Sequence, residues 1–229
     1  MSKKVPGEKP SADALDRLGD AIGGRIKKGM SMLEDFLEES KDTEDGRRFM
    51  GYFKIFLDDR TVAAVTPSSK YLVERSVKAM ALKDAKVIVE YGAAQGVMTR
   101  HILAKMRPDA RLIAIEFNAK LFEELHSTLK DPRLVALRGD VREIDKILAH
   151  QGVTKVDRIV SGVPFAFFSN RGRHELLAKT VALLNPRGRF VAYQVTTHLI
   201  PLLKEYFSDV DTQFEVRNLP PHFVFTALK

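Results

Sequence analysis

Past residue 68 the chain alternates two hydrophobic periodicities with little between them. Short apolar runs suited to buried strands fall at 86–91, 111–116, 133–138, 158–161 and 189–194. Before and between them, apolar residues recur every three or four positions near 69–82, 97–106, 118–129, 142–150, 172–184 and 197–206, which predicts amphipathic helices. Two further strand patterns, 212–217 and 223–228, are joined only by Asn218-Leu219-Pro220-Pro221-His222. The first 67 residues read differently. Residues 1–10 are polar and punctuated by proline and glycine, as in a flexible tail. From Ser11, a plausible N-cap, Leu15, Leu18, Ile22, Ile26, Met30, Leu33 and Leu37 build one apolar helical face. Gly19, Gly23, Gly24 and Gly29 each weaken that helix by up to about 1 kcal/mol relative to alanine, so it needs a surface on which to form. A second helix is expected at 47–57, with Phe49, Phe53 and Phe56 on its apolar side.

Strictly alternating strands and helices imply a parallel sheet covered on both faces. The last link is too short for a crossover helix, so the final pair should be antiparallel. Five parallel strands closed by a C-terminal antiparallel hairpin is the seven-stranded, Rossmann-like α/β arrangement of class I methyltransferases. It differs from the six-strand parallel order of nicotinamide dehydrogenases. The expected organisation is a tail at 1–10, an amphipathic helical arm at 11–57 and a methyltransferase domain at 58–229.

Composition narrows the chemistry. The chain has 229 residues, 45% hydrophobic and 29% charged, which is globular in balance. It has no cysteine, so disulfides, thiolate metal sites and cysteine nucleophiles are excluded. The net charge of +7 favours phosphate-bearing partners, whether nucleic acid or an anionic membrane. Lys3 and Lys4 are not followed by a signal-peptide core, and no window approaches the roughly 18 apolar residues of a spanning helix. Membrane contact is therefore expected to be peripheral, from the cytoplasmic side. The histidines lack metal-ligand spacing, so no metal is expected.

Candidate chemistry gathers at the strand ends. The first strand runs into Gly92-Ala93-Ala94-Gln95-Gly96 and then a helix, a turn that lets a ligand approach the backbone and meet free N–H groups. Glu116 closes the second strand, about 20 residues beyond the turn, where a carboxylate suits a ribose diol. Asp140 and Val141 follow the third strand, where a carboxylate can accept from an adenine amine and an apolar side chain can pack on the ring. Each feature alone also fits a structural turn or a helix cap; together they line one carboxyl edge.

Three segments carry a family resemblance. Asp157-Arg158-Ile159-Val160-Ser161-Gly162-Val163-Pro164-Phe165 resembles the D-x-I-V-S-G-L-P-F segment of bacterial phospholipid N-methyltransferases, and is similar to the Asn-Leu-Pro-Tyr type motif of ribosomal RNA adenine dimethyltransferases. The stretch from Phe56 to Ser69, ending in Thr66-Pro67-Ser68-Ser69, resembles the F-L-x-x-P-x-x-V-G-A-V-x-P-S-S motif of the phospholipid enzymes, and Asn218 to Val224 resembles their N-L-P-P-A-F-V. The resemblance implies methyl transfer from S-adenosyl-L-methionine to the amine of phosphatidylethanolamine or its methylated forms, or of amino lipids such as ornithine lipids. It implies that the partner is an anionic membrane surface met by the arm, with nucleic acid in second place. Carried over, Ser68, Ser69, Glu90, Gly92, Gly96, Glu116, Phe117, Asp140, Val141 and Ser161 would hold the cofactor, while Ser161, Pro164, Phe165 and Tyr71 would border the methyl group and the acceptor nitrogen. Phe165 or Tyr71 would stabilise the methylammonium by cation–π contact. Tyr71 and His222 are candidate bases, and neither is assigned.

The chain departs from the family turn E-x-G-P-G-T-G, reading Glu90-Tyr91-Gly92-Ala93-Ala94-Gln95-Gly96. Alanine at 94 is costly wherever the backbone needs positive φ. Two alternatives therefore stand beside lipid N-methylation: adenine N6-dimethylation of RNA, and a catalytically silent lipid-binding relative. The RNA enzymes usually carry a helical domain after the sheet and asparagine where Ser161 stands, so both features favour lipid. Arg171-Gly172-Arg173-His174 is either a solvated helix start or a phosphate contact.

Overall fold

The computed structural model describes residues 68–218 and 222–229. The expected tail, the arm and residues 58–67 lie outside the described residues.

Seven strands form one sheet in the order β3-β2-β1-β4-β5-β7-β6. They are β1 (Val87–Tyr91), β2 (Arg111–Glu116), β3 (Leu134–Arg138), β4 (Val156–Ser161), β5 (Leu184–Gln194), β6 (Asp209–Glu215) and β7 (His222–Leu228). Strands β1 to β5 pair in parallel, and β7 pairs antiparallel with both β5 and β6. The helices are α1 (Lys70–Met80), α2 (Val97–Lys105), α3 (Ala119–Thr128), α4 (Ile144–His150), α5 (Asn170–Leu183) and α6 (Leu199–Tyr206).

Period-two alternation in the strands divides the core. Ile88, Leu112, Val160, Val191 and Val224 face α1 and α2, meeting Leu72, Val73, Met80, Met98 and Ile102. Val89, Ile113, Ile159, Phe190 and Phe225 face the other way and pack with Ile144, Leu148, Leu176, Leu177 and Leu203 of α4, α5 and α6. Helix starts follow the caps the sequence offers: Ser69 accepts from Leu72 N–H, Asn118 from Leu121 N–H and Ser169 from Gly172 N–H.

Two strands differ from expectation. β5 begins at Leu184 rather than 189, because its register against β4 slips between Val156 and Arg158 and accommodates Asn185-Pro186-Arg187-Gly188, with Arg187 at φ 62°. β6 starts at Asp209 and ends at Glu215, three and two residues earlier than the pattern predicts. It is an edge strand in which Asp209, Asp211, Thr212 and Gln213 are polar and exposed, so Val210 alone gives only a weak apolar signal at its start.

Candidate active site

The strand order reverses between β1 and β4, and in open α/β sheets that switch point opens a crevice at the carboxyl edge. The turn after β1 lies across it. Gly92 has φ 74° and donates its N–H to Ile115 O at 2.9 Å. A β-carbon on Gly92 would come within 2.9 Å of Val163 Cγ2, so the turns after β1 and β4 touch at a point that only glycine fills without strain. Gly96, at φ 78°, is the N-cap of α2.

Between them Ala94 has φ 47°, the conformation in which alanine is costly, by roughly 1–2 kcal/mol. Its N–H is bound at 2.7 Å by Glu116 Oε2, while Glu116 Oε1 accepts from Asn118 N–H at 2.8 Å. Gln95 Nε2 donates to both carboxylate oxygens of Glu124 on α3, at 3.0 and 2.8 Å. Both departures from the family turn are thus tied into neighbouring structure.

The acidic candidates stand at adjacent strand ends. Glu116 is nearly buried, Phe117 beside it is 42% exposed, and Gly139 N–H donates to Glu116 O at 3.0 Å, linking the ends of β2 and β3. Asp140 caps the 3-10 turn Val141–Glu143 by accepting Arg142 N–H at 2.9 Å, and pairs with the Arg142 guanidinium. Val141 is buried under that turn. Glu90 lies within β1, buried, and accepts from Thr99 Oγ1 at 2.7 Å. Burial pushes its carboxyl up to about 8, against the Thr99 hydrogen bond and with the negative charge of Glu116 adding to the rise.

The turn after β4 is held from three sides. Ser161 is fully buried, and its Oγ accepts from Val163 N–H at 3.3 Å, so its side chain shapes the turn from within. Gln194, at the end of β5, donates to Val163 O at 3.0 Å and accepts from Phe165 N–H at 3.1 Å, bracketing Pro164. Arg173 Nε donates to the carbonyls of Phe165 at 2.9 Å and Phe168 at 3.0 Å. The basic cluster at the start of α5 is therefore largely engaged within the protein. His174 Nδ1 lies 2.9 Å from Tyr206 Oη, and Arg171 pairs with Glu175 at 2.7 Å.

Two of the aromatic candidates have other partners within the protein. Phe165 is 3% exposed, its ring in T-shaped packing with Phe168 and Phe190. The Tyr71 ring already carries the Arg217 guanidinium 4.1 Å from its centroid and Lys70 Nζ at 5.0 Å. A groove of about 510 Å³ beside Tyr71, lined by Arg75, Arg189, Asp209 and Asp211 among others, runs along α1 and the hairpin; no residue of the turns after β1 and β4 lines it.

Tyr193, near the end of β5, also stands at the crevice. A β-carbon on Gly162 would fall 2.3 Å from Tyr193 Oη, so this glycine admits the phenol against the β4 turn. Tyr193 is hydrogen-bonded to Ser68; burial raises its phenol above the ordinary range and the charge of Glu90 adds to the rise, so it stays protonated near neutral pH. Ser69 N–H donates to Asn218 Oδ1 at 2.7 Å, and Asn218 Nδ2 lies 3.0 Å from His222 Nδ1. His222 in turn stands 6.3 Å, ring to ring, from Tyr193. The three motifs at 56–69, 157–165 and 218–224, far apart in sequence, meet through their described residues at one edge.

No family model matches the chain. The ornithine lipid N-methyltransferase of Singulisphaera acidiphila is 32% identical over 181 residues, covering 76% of this chain and 90% of that protein. Among solved structures, the N-methyltransferase NodS of Bradyrhizobium japonicum, in complex with S-adenosyl-L-homocysteine, superposes with a TM-score of 0.57 at 15% identity, over 84% of this chain and 96% of NodS. Precorrin-6y C5,15-methyltransferase of Geobacter metallireducens gives 0.56 at 16% identity, over 69% and 88%. These structures share the class I methyltransferase fold, and the curated relative shares the sequence across nearly its whole length. The chain belongs to the S-adenosylmethionine-dependent lipid N-methyltransferases.

Proposed function

We propose that the protein methylates the amine of phosphatidylethanolamine or its partly methylated forms at an anionic membrane surface. The reading rests on the meeting of three segments that resemble phospholipid N-methyltransferases, through Ser69–Asn218 at 2.7 Å and Tyr193 against Gly162. The crevice suits S-adenosylmethionine by its donor set. Two carboxylates, Glu116 and Asp140, stand at adjacent strand ends for the ribose hydroxyls and the adenine amine, an exposed Phe117 lies beside them for the ring, and glycine keeps the turn after β1 open for the methionine part. When bound, the sulfonium supplies an electrophilic methyl group.

The chain's own residues then act by placement. Gly162 and the Val163-Pro164 turn set the wall beside the methyl group, held by Gln194 and Arg173. The Tyr193 phenol, kept protonated, offers its oxygen to an N–H of the acceptor. Such a reaction needs orientation and a dry site rather than a covalent enzyme intermediate.

The curated relative favours a second reading, in which the acceptor is the amine of an ornithine lipid. Purified protein given labelled S-adenosylmethionine and vesicles containing either lipid separates the two. Label in phosphatidylethanolamine is expected; label only in ornithine lipid supports the second reading, and label in neither overturns both. Contact through the arm is tested by flotation with anionic vesicles. Charge reversal at Arg25, Lys27 and Lys28 should release the protein, since each basic residue contributes on the order of 1 kcal/mol near such a surface.

A further inference from the structure

Among the described residues, the large apolar side chains left exposed are Phe117 (42%), Val195 (40%), Phe214 (49%) and Val216 (63%). All four stand at one edge of the sheet. Phe117 follows β2, Val195 follows β5, and Phe214 and Val216 flank the end of β6, which runs in the same direction as β5 through two antiparallel pairings. Scattered apolar exposure on a soluble surface is ordinary; its confinement to one edge is informative.

Phe117 lies on the cofactor half, across the sheet from the others. The remaining three stand at the ends of β5 and β6, the two neighbours of β7. Gln194 pairs with Phe223 and Phe223 with Phe214, a row across three strands, and the Phe214 and Phe223 rings pack 4.7 Å apart. Val195 is one residue past this row and Val216 two. Lys70 and Arg217, both exposed and both against Tyr71, add basic groups at the same end, Arg217 in a pair with Glu215 at 2.7 Å. An apolar centre with a cationic border is the composition that enters the head-group layer of a bilayer.

We infer that Val195, Phe214 and Val216 form a bilayer-docking rim that sets the acceptor side of the crevice against the lipid surface. The inference rests on the lipid-amine reading above and adds a membrane contact separate from the arm. A lipid amine stays at the head-group level while its acyl chains remain in the bilayer, so the crevice must be brought to the surface. Val195 is two residues from Tyr193, about 7 Å of extended chain, so a surface touching Val195 presents head groups beside the phenol.

The test is the full-length V195E/V216E variant, which leaves the Phe214–Phe223 pair intact, with V195S/V216S as a milder second form. Three quantities are measured: S-adenosylmethionine affinity, partition onto phosphatidylethanolamine vesicles containing anionic lipid, and turnover on a short-chain amino-phospholipid below its micelle concentration against turnover on vesicles. Expected are cofactor affinity and monomer turnover within twofold of wild type, with vesicle partition and vesicle turnover at least tenfold lower for the glutamate form. Partition within twofold of wild type overturns the rim, as does equal loss on monomer and vesicle. A change of oligomeric state with partition unchanged would instead assign the patch to a second copy. If wild type methylates neither substrate, the acceptor reading fails, while the partition measurement still decides the rim.

Discussion

Replacing Glu90 by glutamine should flatten the pH dependence of stability in a window that ordinary carboxylates do not reach. Burial carries the Glu90 carboxyl from 4.5 to about 8 in the folded protein. Between those values the folded state holds a proton that the unfolded chain releases. Stability from this group is therefore fully present below about pH 4.5 and is lost as pH rises toward about 8. The slope approaches about 1.4 kcal/mol per pH unit, so wild type should lose about 2.5 kcal/mol between pH 5 and pH 7 on this account. The other shifted carboxyls, Asp109, Asp131, Asp145, Asp157 and Glu215, move down, away from the window. Glutamine keeps a carbonyl for the Thr99 hydroxyl, which sits 2.7 Å from the carboxylate oxygen it replaces, and carries no titrating proton. Urea unfolding at pH 5, 6, 7 and 8 reads the difference directly. With a dependence of about 2–3 kcal/mol per molar urea, the wild-type midpoint should fall by about 1 M from pH 5 to pH 7 while that of the variant holds. Parallel slopes for the two proteins would refute the assignment of a buried, protonated Glu90.

Other outcomes follow from the same edge. Asp140→Ala and Glu116→Gln should each weaken S-adenosylmethionine binding by roughly tenfold or more, the worth of a lost hydrogen bond to a charged group; calorimetry on folded variants with unchanged affinity would remove the cofactor assignment. Ala94→Gly relieves an alanine held at φ 47° and should raise stability by up to about 1 kcal/mol, and titration with cofactor shows whether the strain also limits binding. Asn218→Ala leaves the Ser69 N–H without its 2.7 Å acceptor and should cost about 1–3 kcal/mol, read as a lowered urea midpoint; an unchanged midpoint would mean water replaces the bond freely.

The strands were legible where burial on both faces wrote an apolar run, as in β1 and β2, because a doubly covered parallel strand has no polar face to blur its limits. β6 was misplaced because an edge strand is specified by its partner more than by its own side chains. The positions of Glu116 and Asp140 at the carboxyl edge followed from the strand limits alone. Which way a loop side chain turns does not: Phe165 and Phe117 look alike in sequence, yet one is 3% and the other 42% exposed. In the sequence Tyr193 and Gln194 look like ordinary strand residues. Their signal was present, two polar groups closing a buried run at the edge already identified by Glu116 and Ser161. Thr99 could have been found from Glu90, since a carboxyl inside a buried strand requires a donor nearby.

The position of β7 bears on how the molecule is made. It is the last of the seven strands in sequence, yet it lies inside the sheet, between β5 and β6. While the chain folds, β6 cannot join the sheet until β7 is in place, and β5 has an open flank until then. The sheet closes only when His222–Leu228 slides between two strands already synthesised. A change that weakens that one strand would leave two unpaired, aggregation-prone edges at once.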